Sequence, residues 1–234
     1  MNKGLFVLIL LLNILACGKR DGLAPVVDRK WVASNPSAST HTVVRGETLY
    51  AVAFRYDQDY RALAKANRLD APYSLRVGQV IQLRHRVMPA VDSLKKPQTR
   101  RQDFTQKKTV QKSRSNRWDW PVHGKVVAHF SPKHGKKGIN IVGVSGEKIH
   151  AASSGIVAYA GNGISGYGNL IIIRQGTQYL MAYGNNARNL VHEGQRVKQG
   201  QVIATMGMIE RKYYGLHFEI RKMGKPVNPL RYLR

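Results

Sequence analysis

The C-terminal half of the chain consists of short runs of β-branched and aromatic residues separated by glycines. The runs are GKVVAHFS, GIVAYAG, GNLIIIRQG, QYLMAYG, QVIATMG and LHFEIRKMG. These residue types favour strands, and the glycines mark turns or bulges between them. The apolar periodicity of a helix is absent from this half. The pattern therefore predicts a mainly-β domain over residues 118–234, built as an antiparallel sheet or a barrel-like sandwich.

A second pattern occupies residues 41–84. HTVV at its start and VGQVIQL near its end are strand candidates. Between them, residues 49–56 carry apolar side chains at the i, i+3, i+4 and i+7 spacing of an amphipathic helix. Residues 57–67 predict a second helix, which Asn67 ends. Its inward-facing residues are Tyr60, Leu63 and Ala64. The segment thus predicts a small strand–helix–helix–strand unit.

This segment resembles the LysM family in its GETL, its central asparagine and its VGQ. The family binds the N-acetylglucosamine-containing glycan of peptidoglycan or chitin, so the resemblance implies peptidoglycan glycan strands as a partner. A sugar acetamide needs backbone N–H and C=O partners and an apolar contact, which the two loops flanking the helices would supply. The implied glycan-binding residues are Gly46, Glu47, Thr48, Asn67, Leu75 and Val77. The alternative is that Gly46 and Gly78 serve only as turn residues and that the module binds no sugar.

The N-terminus resembles the signal of a bacterial lipoprotein. A positive Met1-Asn2-Lys3 precedes LFVLILLLNILA, which is shorter than the roughly 20 residues that span a bilayer, so residues 1–16 predict a signal peptide. ILAC resembles a lipobox, which implies lipidation at Cys17, a membrane anchor there and a tether over residues 17–40. Gly18 in place of aspartate implies the outer membrane, with the protein facing the periplasm. The alternative is an ordinary secretory signal with an incidental cysteine.

The chain is strongly basic, with a formal net charge of +25. This charge predicts an anionic partner or surface. Residues 85–117 are rich in lysine and arginine and hold only scattered apolar residues, so they predict a disordered basic linker. We expect this linker to be attracted to phospholipid headgroups or peptidoglycan carboxylates. Because the signal indicates export, we expect no nucleic-acid partner.

Residues 120–233 resemble the lysostaphin/LytM-type zinc metallopeptidases, through WPVHGKVVAHF, KKGINI, YLMAYGNN and GLHFEIRKMG. In active members a histidine, an aspartate four residues later and the second histidine of a His-x-His pair hold zinc. Two further histidines assist catalysis. The corresponding positions in this chain are Lys136, Asn140, Asn185, Gly215 and His217.

These residue types are poorly suited to zinc, which takes about three nitrogen, sulfur or oxygen ligands and a water. Lysine is an ammonium ion at neutral pH, and a neutral asparagine oxygen is a weak zinc ligand. We therefore expect no catalytic residues, no metal and no cofactor, and a cleft with one imidazole and no suitable acidic neighbour. The carboxylates after Asp119 are Glu147, Glu193, Glu210 and Glu219. A register slip that brings His134 close to His217 is the alternative.

The glycine frame of GNGISGYGNL predicts that the cleft itself persists and binds a partner. Tyrosine and arginine are enriched in binding hot spots. The predicted partner-binding groove comprises Tyr183, Asn185, Arg211, Tyr213, Tyr214 and His217.

Taken together, the chain is predicted to be an α+β multidomain protein. It has a β-α-α-β LysM module, a disordered basic linker and a mainly-β LytM/lysostaphin-like domain of the duplicated hybrid motif type. This combination resembles the NlpD-type lipoproteins. The resemblance implies a non-catalytic activator of a periplasmic N-acetylmuramoyl-L-alanine amidase during daughter-cell separation. The alternatives are a zinc peptidoglycan endopeptidase and a structural tether between the outer membrane and peptidoglycan.

Overall fold

The structure is a computed structural model, and it describes residues 38–83 and 118–234. The predicted signal peptide, the lipidation site Cys17, most of the tether and the basic linker lie outside the described residues. Within the described ranges, no helix is both long enough and apolar enough to cross a membrane.

Residues 38–83 form a small unit, called here the LysM-like module. Its elements are β1 (Thr40–Thr42), α1 (Leu49–Arg55), α2 (Tyr60–Ala66) and β2 (Val80–Gln82). β1 pairs antiparallel with β2. The predicted strand–helix–helix–strand order is confirmed. Its core is formed by Val43, Leu49, Val52, Ala53, Tyr60, Leu63, Ala64, Ile81 and Leu83.

The helix ends of this module follow from capping. The hydroxyl of Thr48 accepts a hydrogen bond from the Ala51 amide and starts α1. The predicted start of the second helix at residue 57 was wrong, because the carboxylate of Asp59 caps the helix and α2 begins at Tyr60. The predicted stop is confirmed, since Asn67 is the C-terminal cap of α2.

Residues 118–234 form the C-terminal domain, which is mainly antiparallel sheet, as predicted. Helical structure in this range is confined to two 3-10 turns, Pro132–His134 and Pro229–Arg231. The strands are β3 (Val126–Ala128), β4 (Ile139–Val142), β5 (Lys148–His150), β6 (Gly155–Gly161), β7 (Asn169–Gln175), β8 (Tyr179–Asn189), β9 (Arg196–Val197), β10 (Val202–Met206), β11 (Met208–Ile209), β12 (Tyr213–Lys222) and β13 (Lys225–Val227). Their order in the sheet is β3-β4-β12-β8-β7-β6-β9, with β10 paired to β5 and β8, and β11 and β13 paired to β12.

Alternation along the central strands separates two faces of this sheet. On β12, Leu216, Phe218 and Ile220 enter the main core. The intervening residues of β12 point to the opposite side because successive side chains of a strand alternate. We call this side the outer face. It carries Asn140, His217, Glu219, Arg221, Leu170, Ile172, Leu180 and Ala182.

The LysM-like module packs against the outer face. Ala51 and Phe54 of α1 share a buried apolar cluster with Ile172 and Ala182 of the sheet. The hydroxyl of Thr48 donates to the Ala158 carbonyl at 3.1 Å. The two parts of the chain are thus joined by an apolar contact with polar ties at its edge.

Candidate functional site

Two of the positions that resemble zinc ligands, Asn140 and His217, meet where β4 and β12 pair. The strand register places Asn140 opposite His217. The Asn140 Oδ1 atom lies 2.7 Å from His217 Nδ1. The Asn140 amide nitrogen donates to the hydroxyl of Tyr213 at 3.0 Å. Asn140 is therefore held between two side chains of β12.

Tyr213 also fills space beside the buried Gly215. A Cβ atom added at Gly215 would lie 2.9 Å from the Ile141 carbonyl oxygen and 3.2 Å from both the Tyr213 ring and the Ile209 side chain. A histidine at this position would need room that the β11–β12 hairpin now occupies. The packing of the hairpin therefore leaves space for a glycine at position 215 but not for a larger residue.

Two other predicted positions lie apart from this network. Lys136 is exposed, in the turn where its backbone pairs with Ser131. Asn185 has a left-handed backbone with φ of 62°, a conformation that asparagine tolerates better than most residues. The backbone N–H of Asn185 donates to the Tyr167 carbonyl at 2.7 Å. Of the positions that the sequence analysis grouped, Asn140 and His217 are in contact in the structure, whereas Lys136 lies on the surface.

The alternative metal site at His134 has no support in the described structure. The His134 Nδ1 atom lies 2.7 Å from the hydroxyl of Ser131, within the same turn. Across residues 38–83 and 118–234, no three His, Cys, Asp or Glu side chains are grouped as metal ligands.

An acidic side chain that the sequence analysis did not place here, Glu219, lies beside His217. Glu219 is fully buried, and its Oε1 atom is 3.0 Å from His217 Nε2. The same oxygen accepts from the Tyr167 hydroxyl at 2.8 Å. The other oxygen accepts from the Arg221 Nε at 2.9 Å. Because residues two apart on a strand share a face, the pattern His-x-Glu-x-Arg on β12 was the signal for this arrangement.

The charges of Glu219 and Arg221 stabilise one another. Burial by itself would raise the pKa of Glu219, but the Arg221 charge and the His217 hydrogen bond outweigh it and hold this pKa at about 2. Burial would lower the pKa of Arg221, yet the nearby Glu219 carboxylate raises it further above its ordinary value. Burial and the charge of Glu219 raise the pKa of the Tyr167 hydroxyl. The pair is therefore ionised at neutral pH.

The donor set does not fit a catalytic zinc ion. Zinc needs about three free ligands and a position for water. Asn140 is bound to His217 and Tyr213, and both oxygens of Glu219 already accept hydrogen bonds. Gly215 has no side chain to contribute. The chemistry that this arrangement supports is hydrogen bonding and shape recognition.

An open groove of about 490 Å³ lies next to Asn185. Two predicted partner-binding residues, Asn185 and Tyr214, line it. Tyr213 is next to Tyr214 in sequence but faces Asn140, because adjacent side chains on a strand alternate. The remaining lining residues, which the sequence analysis missed, are Ser145, Asn162, Gly168, Asn169, Asn186, Ala187, Met206, Gly207 and Met208.

The placement of Tyr183 in the groove was wrong. Its side chain is fully buried in the main core, and its hydroxyl accepts from the Ala152 amide at 2.9 Å. Burial raises the pKa of this hydroxyl. The reason is the alternation on β8, which directs Tyr183 inward while Ala182 lies on the outer face.

In the LysM-like module, two predicted glycan-binding side chains make contacts inside the module. The Glu47 side chain is 2% exposed, and its carboxylate pairs with His41 at 2.7 Å and Arg55 at 2.8 Å. Asn67 accepts from the Gln82 amide at 2.7 Å and donates to the Gln82 carbonyl at 3.0 Å, so it clamps β2 to α2.

Four further predicted glycan-binding residues remain near the module surface. Val77 is 70% exposed, Gly46 is exposed, and Leu75 is partly buried. Thr48 is partly buried and bonded to Ala158. Beside Leu75, the sequence analysis missed a group of three rings in tilted and edge-to-face contact, Tyr50, Tyr60 and Tyr73.

Two protein families match the chain. Peptidase family M23 matches residues 134–229, and the LysM domain matches residues 41–84. The fold and these matches therefore define a two-part protein, with a LysM domain and an M23-type domain.

Relatives across most of the chain identify the family. The chain is 38% identical to the lipoprotein NlpD/LppB homolog of Pseudomonas aeruginosa, over 92% of this chain and 82% of the relative. It is 36% identical to the murein hydrolase activator NlpD of Escherichia coli, over 84% of this chain and 68% of the relative. The chain belongs to the NlpD/LppB family of lipoproteins. A solved structure of Helicobacter pylori Csd3 matches 50% of this chain and 35% of Csd3, with 28% identity and a TM-score of 0.45.

Proposed function

We propose that this protein is a non-catalytic outer-membrane lipoprotein that faces the periplasm and is anchored through a lipid on Cys17. It binds peptidoglycan glycan strands through the LysM module and activates a periplasmic N-acetylmuramoyl-L-alanine amidase. The activated amidase splits septal peptidoglycan as daughter cells separate. The proposed organisation is a signal peptide over residues 1–16, a tether over 17–40, the LysM module over 41–84, a basic linker over 85–117 and the M23-type domain over 118–234.

One observation carries the non-catalytic part of this proposal. Asn140, at the position of the zinc-binding aspartate, is tied by hydrogen bonds to His217 and Tyr213. A metal bound by Asn140 and His217 would have to displace the hydrogen bond between them and would still lack a third free ligand. The activator name of the Escherichia coli relative supports the same reading.

The groove next to Asn185 supports the binding of a protein segment. Met208 and Tyr214 expose 42% and 38% of their surface at its edge, which suits an apolar anchor.

Charge supports an acidic partner. The chain carries a net charge of +25. Two exposed arginines are near groove residues in sequence, since Arg188 follows Ala187 on β8 and Arg211 lies in the turn between Met208 and Tyr214. An acidic inhibitory segment of the amidase would be attracted to this surface. Activation requires only that the surface bind the open amidase better than the closed one.

The test is dye release from labelled sacculi by the amidase of the same organism, with and without this protein. The double variant Arg211→Ala/Tyr214→Ala should need at least ten times more protein for the same stimulation. The matched control is Leu230→Ala/Arg231→Ala, which removes a leucine of similar exposure, 39%, and a neighbouring arginine away from the groove. Equal stimulation by both variants would remove the groove from the proposal.

The same assay separates the alternative functions. A tether without an amidase partner predicts that the protein binds sacculi but adds no dye release. A zinc endopeptidase predicts stoichiometric zinc in the purified protein and muropeptide release without amidase. Either result would contradict the activator function.

A further inference from the structure

The LysM-like module uses part of α1 to cover the sheet instead of its own core. Ala51 and Phe54 are each 1% exposed. Both belong to the apolar cluster of the outer face, whereas Leu49, Val52 and Ala53 of the same helix pack inside the module. α1 therefore has a second apolar side that only the C-terminal domain buries.

Arg221 ties the module to the outer face. Its guanidinium donates to the Phe54 carbonyl at 2.8 Å and pairs with the Asp57 carboxylate. It also stacks on the Phe54 ring, 3.7 Å from the ring centre. Lys137 adds an ion pair to Asp57 at 2.6 Å. The module thus supplies partners to a buried arginine that also holds Glu219.

The covered area extends toward His217. The rings of Phe54 and Tyr167 lie 5.2 Å apart, and those of Tyr167 and His217 lie 5.6 Å apart. Glu219 and Arg221, the next residues of β12 on this face, are at most 1% exposed. The His217 side chain keeps only 20% of its surface exposed.

The module also borders the groove, because Arg55 donates to the Gly163 carbonyl at 2.7 Å, in the loop whose Asn162 and Gly168 line the groove. A protein segment that continues from the groove onto the outer face past His217 would therefore meet α1.

We propose that the LysM module is an intramolecular occupant of the outer face, so that its docking excludes an amidase segment that continues from the groove onto this face. The identity of the competing partner rests on the proposed function, whereas the docking itself does not. The apparent affinity for the partner equals the affinity of the undocked protein multiplied by the fraction of molecules in which the module is undocked. Release of the module would raise that affinity without any new contact.

A pair of glycine variants separates docking from backbone strain. Gly224 and Gly200 have nearly the same positive φ, 80° and 79°. A Cβ atom at Gly224 would lie 2.2 Å from the Gln58 carbonyl carbon of the module, whereas one at Gly200 would meet nothing within 4 Å. Gly224→Ala should release the module, and Gly200→Ala should impose the same strain and leave it docked. Phe54→Glu is a second releasing variant, since Phe54 lies outside the core of the module.

The first measurement is the distance between fluorophores on cysteines placed at the exposed positions Lys65 and Lys198, in the full chain with Cys17→Ser. We expect one short distance for the starting protein and for Gly200→Ala, and a longer, broader distribution for Gly224→Ala and Phe54→Glu. A broad distribution in the starting protein would overturn the proposal. So would short distances in both releasing variants.

The second measurement is the amidase affinity of the same proteins and the protein concentration that gives half-maximal dye release. The releasing variants should bind the amidase about tenfold more tightly and stimulate at about tenfold lower concentration than Gly200→Ala. Equal or weaker binding by the released proteins would refute the competition. If no protein binds or stimulates the amidase while the distances change as expected, the proposed function fails and the docking stands.

Discussion

Replacing Arg221 by methionine tests the buried charge balance of the outer face. Methionine keeps much of the apolar length of the side chain but removes the cation that lies against Glu219 and Asp57. Glu219, which is fully buried, would then retain only the His217 and Tyr167 hydrogen bonds. Breaking a buried ion pair by removing one partner costs about 3–5 kcal/mol.

The pH dependence of this loss has a definite sign. In the native protein the pKa of Glu219, about 2, is below its ordinary 4.5, so its stabilisation is present above pH 4.5 and is lost as the pH falls toward 2. This difference corresponds to about 3 kcal/mol. Without Arg221, the group that lowers this pKa most is gone, so burial opposes the ionised carboxylate and less of its stabilisation remains at neutral pH. The destabilisation by Arg221→Met should therefore be larger at pH 7.5 than at pH 4, by about 1 kcal/mol.

The assay is urea unfolding at both pH values, followed by the fluorescence of Trp118 and Trp120 in the C-terminal domain. The control is the double variant Glu219→Gln/Arg221→Met, which removes both charges. It should recover at least half of the stability lost at pH 7.5, and its difference from the native protein should change less with pH. An equal loss by Arg221→Met at both pH values, with no recovery in the double variant, would refute the charge-balance argument.

Two further predictions concern single side chains. Tyr213→Phe keeps the ring beside Gly215 but removes the hydroxyl that accepts from Asn140, so urea unfolding should show a loss of about 1 kcal/mol. Tyr214→Phe, at an exposed position, should cost less than about 0.5 kcal/mol, and equal losses would contradict the role of the Tyr213 hydroxyl. Asn67→Ala should destabilise the LysM module by about 2 kcal/mol in thermal unfolding, because the clamp between α2 and β2 is lost. Chito-oligosaccharide affinity at a temperature where the variant is folded should be unchanged, and lost binding with unchanged stability would restore Asn67 as a glycan ligand.

Local patterns explain which parts of the fold were predictable. The spacing of apolar residues identified both helices of the module, and Asn67 marked the end of α2. The start of α2 was misplaced because the cap at Asp59 competes with the apolar pattern that begins earlier. The runs between glycines identified the strands of the C-terminal domain. Their pairing order, β3-β4-β12-β8-β7-β6-β9, joins strands that are far apart in sequence, so no local pattern predicts it.

The site was predictable only in part. Alternation on β12 was sufficient to place Glu219 and Arg221 on the face of His217, but not to show that they pair. Tyr183 was misassigned because its family motif says nothing about which face of β8 it occupies. Tyr213 was expected at a partner surface, yet its hydroxyl bonds Asn140, which required the register between β4 and β12.

By itself, the sequence determined the order of the two modules and the residue types at the positions that resemble zinc ligands, because both depend on local spacing and on the identity of single residues. Only the tertiary structure decided that α1 covers the outer face and that Arg221 bonds Asp57, a residue 164 positions away. The physical reason is that two surfaces come together through shape and charge complementarity. The spacing of apolar residues along a strand or a helix does not indicate which distant surface will pack against its other side.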